Sequence, residues 1–180
     1  MASVPPIATL LSLPDSDLTT LLDTLFEPST TLHALLVPIL RTPHASYTSL
    51  LAKIRTTLRE YHASLTASDR QPLHEILGSH PRLGEPKKET LSEQSAQEQK
   101  KLQEGGEEEA RLLTELNAEY EARFPGLRYV VFVNGRGRGE VMEDMRARIA
   151  EGSLEREEGR GLEAMCDIAL DRARKLGGEM

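Results

Sequence analysis

Two sets of residues in this chain are of a type and spacing suited to chemistry. His80 stands in "GSHPRLGEP", directly before a proline. Proline disfavours the helical region for the residue preceding it, so a His-Pro step is extended and stiff. An isolated His-Pro is an ordinary surface turn, and this geometry predicts an imidazole presented from an exposed corner. Imidazole is also the side chain best suited to carrying a proton near neutral pH. The second set is Ser95, Glu98 and Gln99 in "SAQEQ", at positions i, i+3 and i+4, where a helix lets all three address one point. A hydroxyl, a carboxylate and an amide supply donors and acceptors for a small polar heterocycle. Ser92-Glu93-Gln94 is a competing run, but only the second copy has a serine three residues before its Glu-Gln pair.

Other candidates read as structure. "NGRGRGE", 134–140, follows an apolar run, yet its glycines form neither the dinucleotide fingerprint nor a Walker loop, so it predicts a glycine-rich turn with solvated arginines. Cys166 is the single cysteine and lies beside Met165 on an apolar face, which predicts a core thiol and excludes an intrachain disulfide. His33, His44, His62, His74 and His80 are scattered without metal-ligand spacing, and "EGGEEE" lacks calcium-loop spacing, so no metal is expected. His74 in "QPLHEIL" reads as a surface helix residue.

Helices must position the candidate residues. Leu18, Leu21, Leu22 and Leu25 recur at helical spacing after Pro14-Asp15-Ser16, with Pro28 beyond the stop. Leu32, Leu35, Leu36, Ile39 and Leu40 form a second stripe, and Tyr47, Leu50, Leu51, Ile54, Leu58 and Tyr61 a third. A short fourth helix carries Leu73, Ile76 and Leu77 and stops at Gly78, two residues before His80. Residues 84–110 are polar throughout, yet Leu91, Ser95, Glu98 and Leu102 share one face, which predicts a helix from Thr90 to Gly105-Gly106. A further helix spans about Glu107 to Phe124, and two more carry Val141, Met145 and Ile149, then Leu162 to Leu176. "YVVFV", 129–133, is the one strand-like run and has nothing to pair with. The expectation is an all-α single domain over residues 1–180, a bundle of about seven to nine helices with one short extended segment near 129–133.

Composition narrows the function further. A net charge of −7 opposes binding to a phosphate backbone, and the absence of Trp removes the usual stacking platforms, so no nucleic-acid partner is expected. No apolar run reaches membrane-spanning length, and "MASVPPIATLLSLP" lacks the basic start of a signal peptide. The C-terminal "KLGGEM" is not a peroxisomal address, so cytoplasm is the expected compartment, with peroxisomal residence by association left open.

Four stretches, "HPRLGEPK", "SAQEQ", "LNAEYEARFPGLRYVVFV" with "NGR" after it, and "IALDRARKL", occur in order over the last hundred residues or so. Together they resemble the 2-oxo-4-hydroxy-4-carboxy-5-ureidoimidazoline (OHCU) decarboxylases, which complete the conversion of urate to allantoin. "LPDSDLTTLLDTLFEPS" near the N-terminus is similar to fungal-type members. The resemblance implies an all-helical carboxy-lyase with no cofactor, acting on a small anionic substrate. It implies catalytic roles for His80, as proton donor, and Glu98. Substrate contacts are implied for Pro81, Ser95, Gln99, Tyr129, Val130, Val131, Phe132, Val133 and Arg172, with Arg174 an alternative to Arg172. A homodimer has no warrant beyond the resemblance, and no fused transthyretin-like hydrolase domain is expected. Two departures stand out: Arg82-Leu83 replaces the usual Asp-Leu after His-Pro, and "KKLQEGGEEE" replaces a glycine-rich part. They motivate a second expectation, a catalytically idle helical homologue that binds a partner or metabolite.

Overall fold

Seven α-helices and one 3-10 helix account for the regular structure among the described residues, 3–84 and 106–180, of the computed structural model. The 3-10 turn, Ile7–Ser12, precedes α1 (Asp15–Leu25), α2 (Thr30–Leu40), α3 (Tyr47–Ser64) and α4 (Gln71–Gly78). After the undescribed stretch come α5 (Glu107–Arg123), α6 (Arg138–Glu151) and α7 (Leu154–Lys175). The all-α expectation holds, and the predicted helix over 90–105, with Ser95, Glu98 and Gln99 on it, lies outside the described residues.

Local chemistry sets the helix ends. Ser29, Ser46 and Ser153 each accept a backbone N–H of the first turn that follows them, in α2, α3 and α7. Proline occupies the start of α4, where its missing donor costs nothing. Between α6 and α7, Gly152 adopts φ 64°, and a Cβ there would run into the Arg123 guanidinium, which donates to the Gly152 carbonyl at 3.0 Å.

Packing follows the leucine stripes. The apolar faces of α1 to α4 and of α7 close over one continuous core that includes Leu18, Leu22, Leu36, Leu50, Ile54 and Leu58, all fully enclosed. The longest interface joins α3 to α7. The chain ends are tied to it: Tyr47 donates its hydroxyl to the Pro5 carbonyl at 2.7 Å, and its N–H to the Glu179 carbonyl at 2.7 Å. On α7 three charged residues, Glu157, Glu158 and Arg172, are buried with the apolar ones.

Residues 127–133 join α5 to α6 in neither helix nor strand. Lacking a neighbouring strand, this segment gives its carbonyls to arginines: Val130 to Arg148 at 3.2 Å, and Phe132 and Val133 to Arg136 at 2.5 and 3.3 Å.

Candidate active site

His80 leaves the end of α4 by way of Ser79, which keeps helical dihedrals and donates its hydroxyl to the Ile76 carbonyl at 2.7 Å. The side chain then turns inward. It is only 6% exposed, so the expectation of an exposed corner is corrected. The reason is the loop beyond it, which folds back on α5. Arg82 grips Glu121 with two parallel bonds, Nε to Oε1 at 2.6 Å and Nη2 to Oε2 at 2.5 Å. Asn117 donates to the Leu83 carbonyl at 3.0 Å. Gly84, at φ 80°, lies so close to α5 that a Cβ would sit 2.5 Å from Leu113. Arg82, the departure noted in the sequence, is therefore a built contact that helps carry the His-Pro step inward.

Burial governs the chemistry of His80. Desolvation, with the positive field of Arg172 added, pushes its pKa down to about 3, so the imidazole is neutral at physiological pH. Its Nε2 is buried and makes no hydrogen bond among the described residues. A buried polar atom without a partner is uncommon and costly, and here it lies on the residue best suited to proton transfer.

Arg172 is the largest fully enclosed side chain, 1% exposed, whereas Arg174 points to solvent. Geometry therefore favours the former as the enclosed cation of the last helix. Its guanidinium extends away from α7. It reaches the end of α1, where Nη1 donates to the Phe26 carbonyl and lies 3.4 Å from that of Leu25. These are carbonyls that the end of a helix leaves unpaired, and a cation is favourable there. Nη2 meets Glu27 Oε1 at 3.0 Å. Glu27, itself 1% exposed, escaped the sequence reading because "FEP" looks like the end of a solvated helix.

Tyr129–Val133 is held from α5 and α6. The Tyr129 hydroxyl donates to Asp144 and lies 3.2 Å from the Val141 carbonyl, both on α6. Its ring meets Tyr120 edge-on at 5.5 Å, with the Arg148 guanidinium 4.9 Å from its centre. Val131 and Phe132 line an open cleft of about 690 Å³ with Arg136, Arg148 and Arg160. The structure thus pairs Arg172 with Glu27, sets His80 within the field of Arg172, and leaves Pro81 beside His80 in the chain. The described contacts of Tyr129–Val133 run to Tyr120 of α5, to Arg136 and to α6, and Ser95, Glu98 and Gln99 lie outside the described residues.

The distinctive "LNAEYEARF" stretch now has physical roles. Asn117 holds the loop after His80, and Tyr120 donates to buried Glu157 at 2.6 Å. Phe124 packs in the core, and Arg123 closes the α6–α7 turn. Cys166 is a core thiol whose pKa burial pushes up to about 12, so it is un-ionised. His74, read as a surface residue, instead hydrogen-bonds enclosed Glu158. Among the described residues no group of histidines, cysteines and acids is arranged to hold a metal ion, and no helix is long and apolar enough to cross a membrane.

A family model described as OHCU decarboxylase matches residues 11–174. The fold is similar to a crystal structure of (S)-allantoin synthase, with a TM-score of 0.62 at 18% identity. The similarity covers 96% of this chain and 54% of that one, so this chain spans about half the length of that protein. No curated protein sequence matches the chain.

Proposed function

The chain belongs to the OHCU decarboxylase family, and on that footing we propose that it converts OHCU to (S)-allantoin in urate degradation, without a cofactor. The observation that carries the reading is the neutral imidazole of His80, enclosed, within the field of Arg172, and with its Nε2 unpartnered among the described residues.

The chemistry asks little beyond this. The bond to the carboxylate carbon breaks, carbon dioxide leaves, and the electron pair passes into the adjacent ring C=N. A proton added to one face of the ring then fixes the hand of the product. Arg172 supplies the positive field that draws in the substrate carboxylate. The entering anion offsets the field of Arg172, the smaller of the two effects that hold His80 neutral, so substrate binding raises the affinity of the imidazole for a proton. His80 takes that proton up and delivers it after carbon dioxide departs, a contribution of roughly 10²–10⁴-fold. In this reading Glu98 orients the imidazole or the substrate hydroxyl. Ser95, Gln99, Pro81 and the backbone of Tyr129–Val133 hold the ring, and such positioning is worth more than the proton transfer itself.

One observation favours a second reading. Arg172 already engages Glu27 and the end of α1, as a purely structural cation would in an idle homologue. The two separate when OHCU is generated from urate in the presence of the protein and circular dichroism follows the allantoin formed. Accelerated decay to one enantiomer supports the enzyme, and decay at the rate of buffer supports the idle homologue.

A further inference from the structure

Outside the candidate site, one carboxylate gathers three basic side chains. Glu158, fully enclosed near the start of α7, accepts from His62 of α3 at 3.0 Å and from His74 of α4 at 2.7 Å. It also accepts from Arg70, immediately before α4. Its two oxygens thus join three elements that meet nowhere else through a shared ionic group among the described residues. Two close approaches seat the end of α4 beside this bracket. At Gly161 on α7 a Cβ would lie 2.9 Å from the Leu77 side chain, and at Gly78 a Cβ would lie 3.2 Å from the Gly126 carbonyl.

We propose that Glu158 is a positioning residue for the reaction, holding α4 on α7 so that His80 keeps a fixed place relative to Arg172. This rests on the function proposed above. The geometry supports it at both ends: α4 stops two residues before His80, and the same helix that carries Glu158 carries Arg172 about four turns on. Among the described residues every hydrogen bond on the Glu158 carboxylate goes to α3, α4 or the residue leading into α4, so its removal loosens the seat of His80 before it touches the end of α1. A small displacement of a proton donor is expensive, on the order of 10²-fold for about 1 Å.

The test compares Glu158→Gln with Leu50→Ala, a cavity variant in the enclosed core of α3 that has no part in the bracket. Glu158→Gln is expected to lower kcat about 10- to 100-fold while KM changes less than about threefold, and to yield allantoin of reduced enantiomeric purity. Leu50→Ala, at a similar loss in Tm, keeps kcat and purity. Amide exchange over residues 71–84 accelerates in Glu158→Gln beyond its acceleration in Leu50→Ala. Should Glu158→Gln not fold, His74→Ala leaves two of the three partners and is expected to show the same pattern, with kcat down about threefold. Matching kcat, purity and local exchange in the bracket variant and Leu50→Ala overturn the proposal. If the parent protein does not turn over OHCU, the proposed function fails alone, and the exchange measurement still decides whether Glu158 seats the His80 segment.

Discussion

Arg172 and Glu27 meet at 3.0 Å with both side chains shut off from water, one from the last helix and the other just beyond the first. Removing one member of such a pair leaves a buried charge uncompensated, at a cost of about 3–5 kcal/mol. Glu27→Gln is therefore expected to lower the free energy of unfolding in urea by that order. Arg172→Lys keeps the charge but loses the fork that spans the Phe26 carbonyl and Glu27, so both Tm and substrate affinity fall. A merely dipolar partner at a helix end would lose only about 0.3–1 kcal/mol. Arg174→Lys is the control, and it leaves both properties at the parent values.

Acid should destabilise the fold through His80. The folded chain holds the imidazole neutral down to about pH 3, whereas the unfolded chain protonates it near its ordinary value of 6.5. Between those values the unfolded state binds more protons, so stability rises with pH across that window and this group adds no slope above it. His80→Gln is expected to remove a slope of up to about 1.4 kcal/mol per pH unit. Urea titrations of parent and variant at successive pH values measure the difference. Parallel stability curves would show that His80 titrates alike in both states.

The Arg82–Glu121 fork is the contact by which this chain accommodates its departure from the family pattern. Arg82→Asp sets two carboxylates against each other and is expected to lower kcat at least tenfold by releasing the His-Pro loop. Combining it with Glu121→Arg restores the fork in reverse and recovers most of the loss. A double variant no better than Arg82→Asp alone would show that the pair does not hold the loop.

How far the sequence exposes this arrangement depends on the range of the interactions concerned. The helices are legible because leucine periodicity is local: the expected Glu107 to Phe124 helix is Glu107–Arg123. The unpaired character of Tyr129–Val133 is legible from the absence of a second strand. The 3-10 turn Ile7–Ser12 is too short to leave a periodic signal. The inward turn of His80 has no sequence signal because the step that directs it depends on Asn117 and Glu121, which no rule of spacing links to a His-Pro. Glu27 and Glu158 were invisible for the same reason, since their partners lie 145 and up to 96 residues away and a buried charge is intelligible only beside its partner.

The register of the triple around "SAQEQ" has a direct test. Glu98→Gln is expected to reduce turnover at least a hundredfold and Glu93→Gln by less than a factor of two, both read from initial rates on OHCU. The reverse order would move the site to Ser92-Glu93-Gln94.

In the proposed reaction an enclosed, neutral histidine takes up a proton and delivers it to one face of a decarboxylating ring. The direct measurement is the circular dichroism of allantoin formed from freshly generated OHCU by the parent and by His80→Asn, at equal folded concentration. The parent is expected to give a fast, single-handed signal. With the variant, decay falls to the rate of buffer and the product is racemic, while helical content is unchanged. Fast, single-handed product from folded His80→Asn would contradict that role.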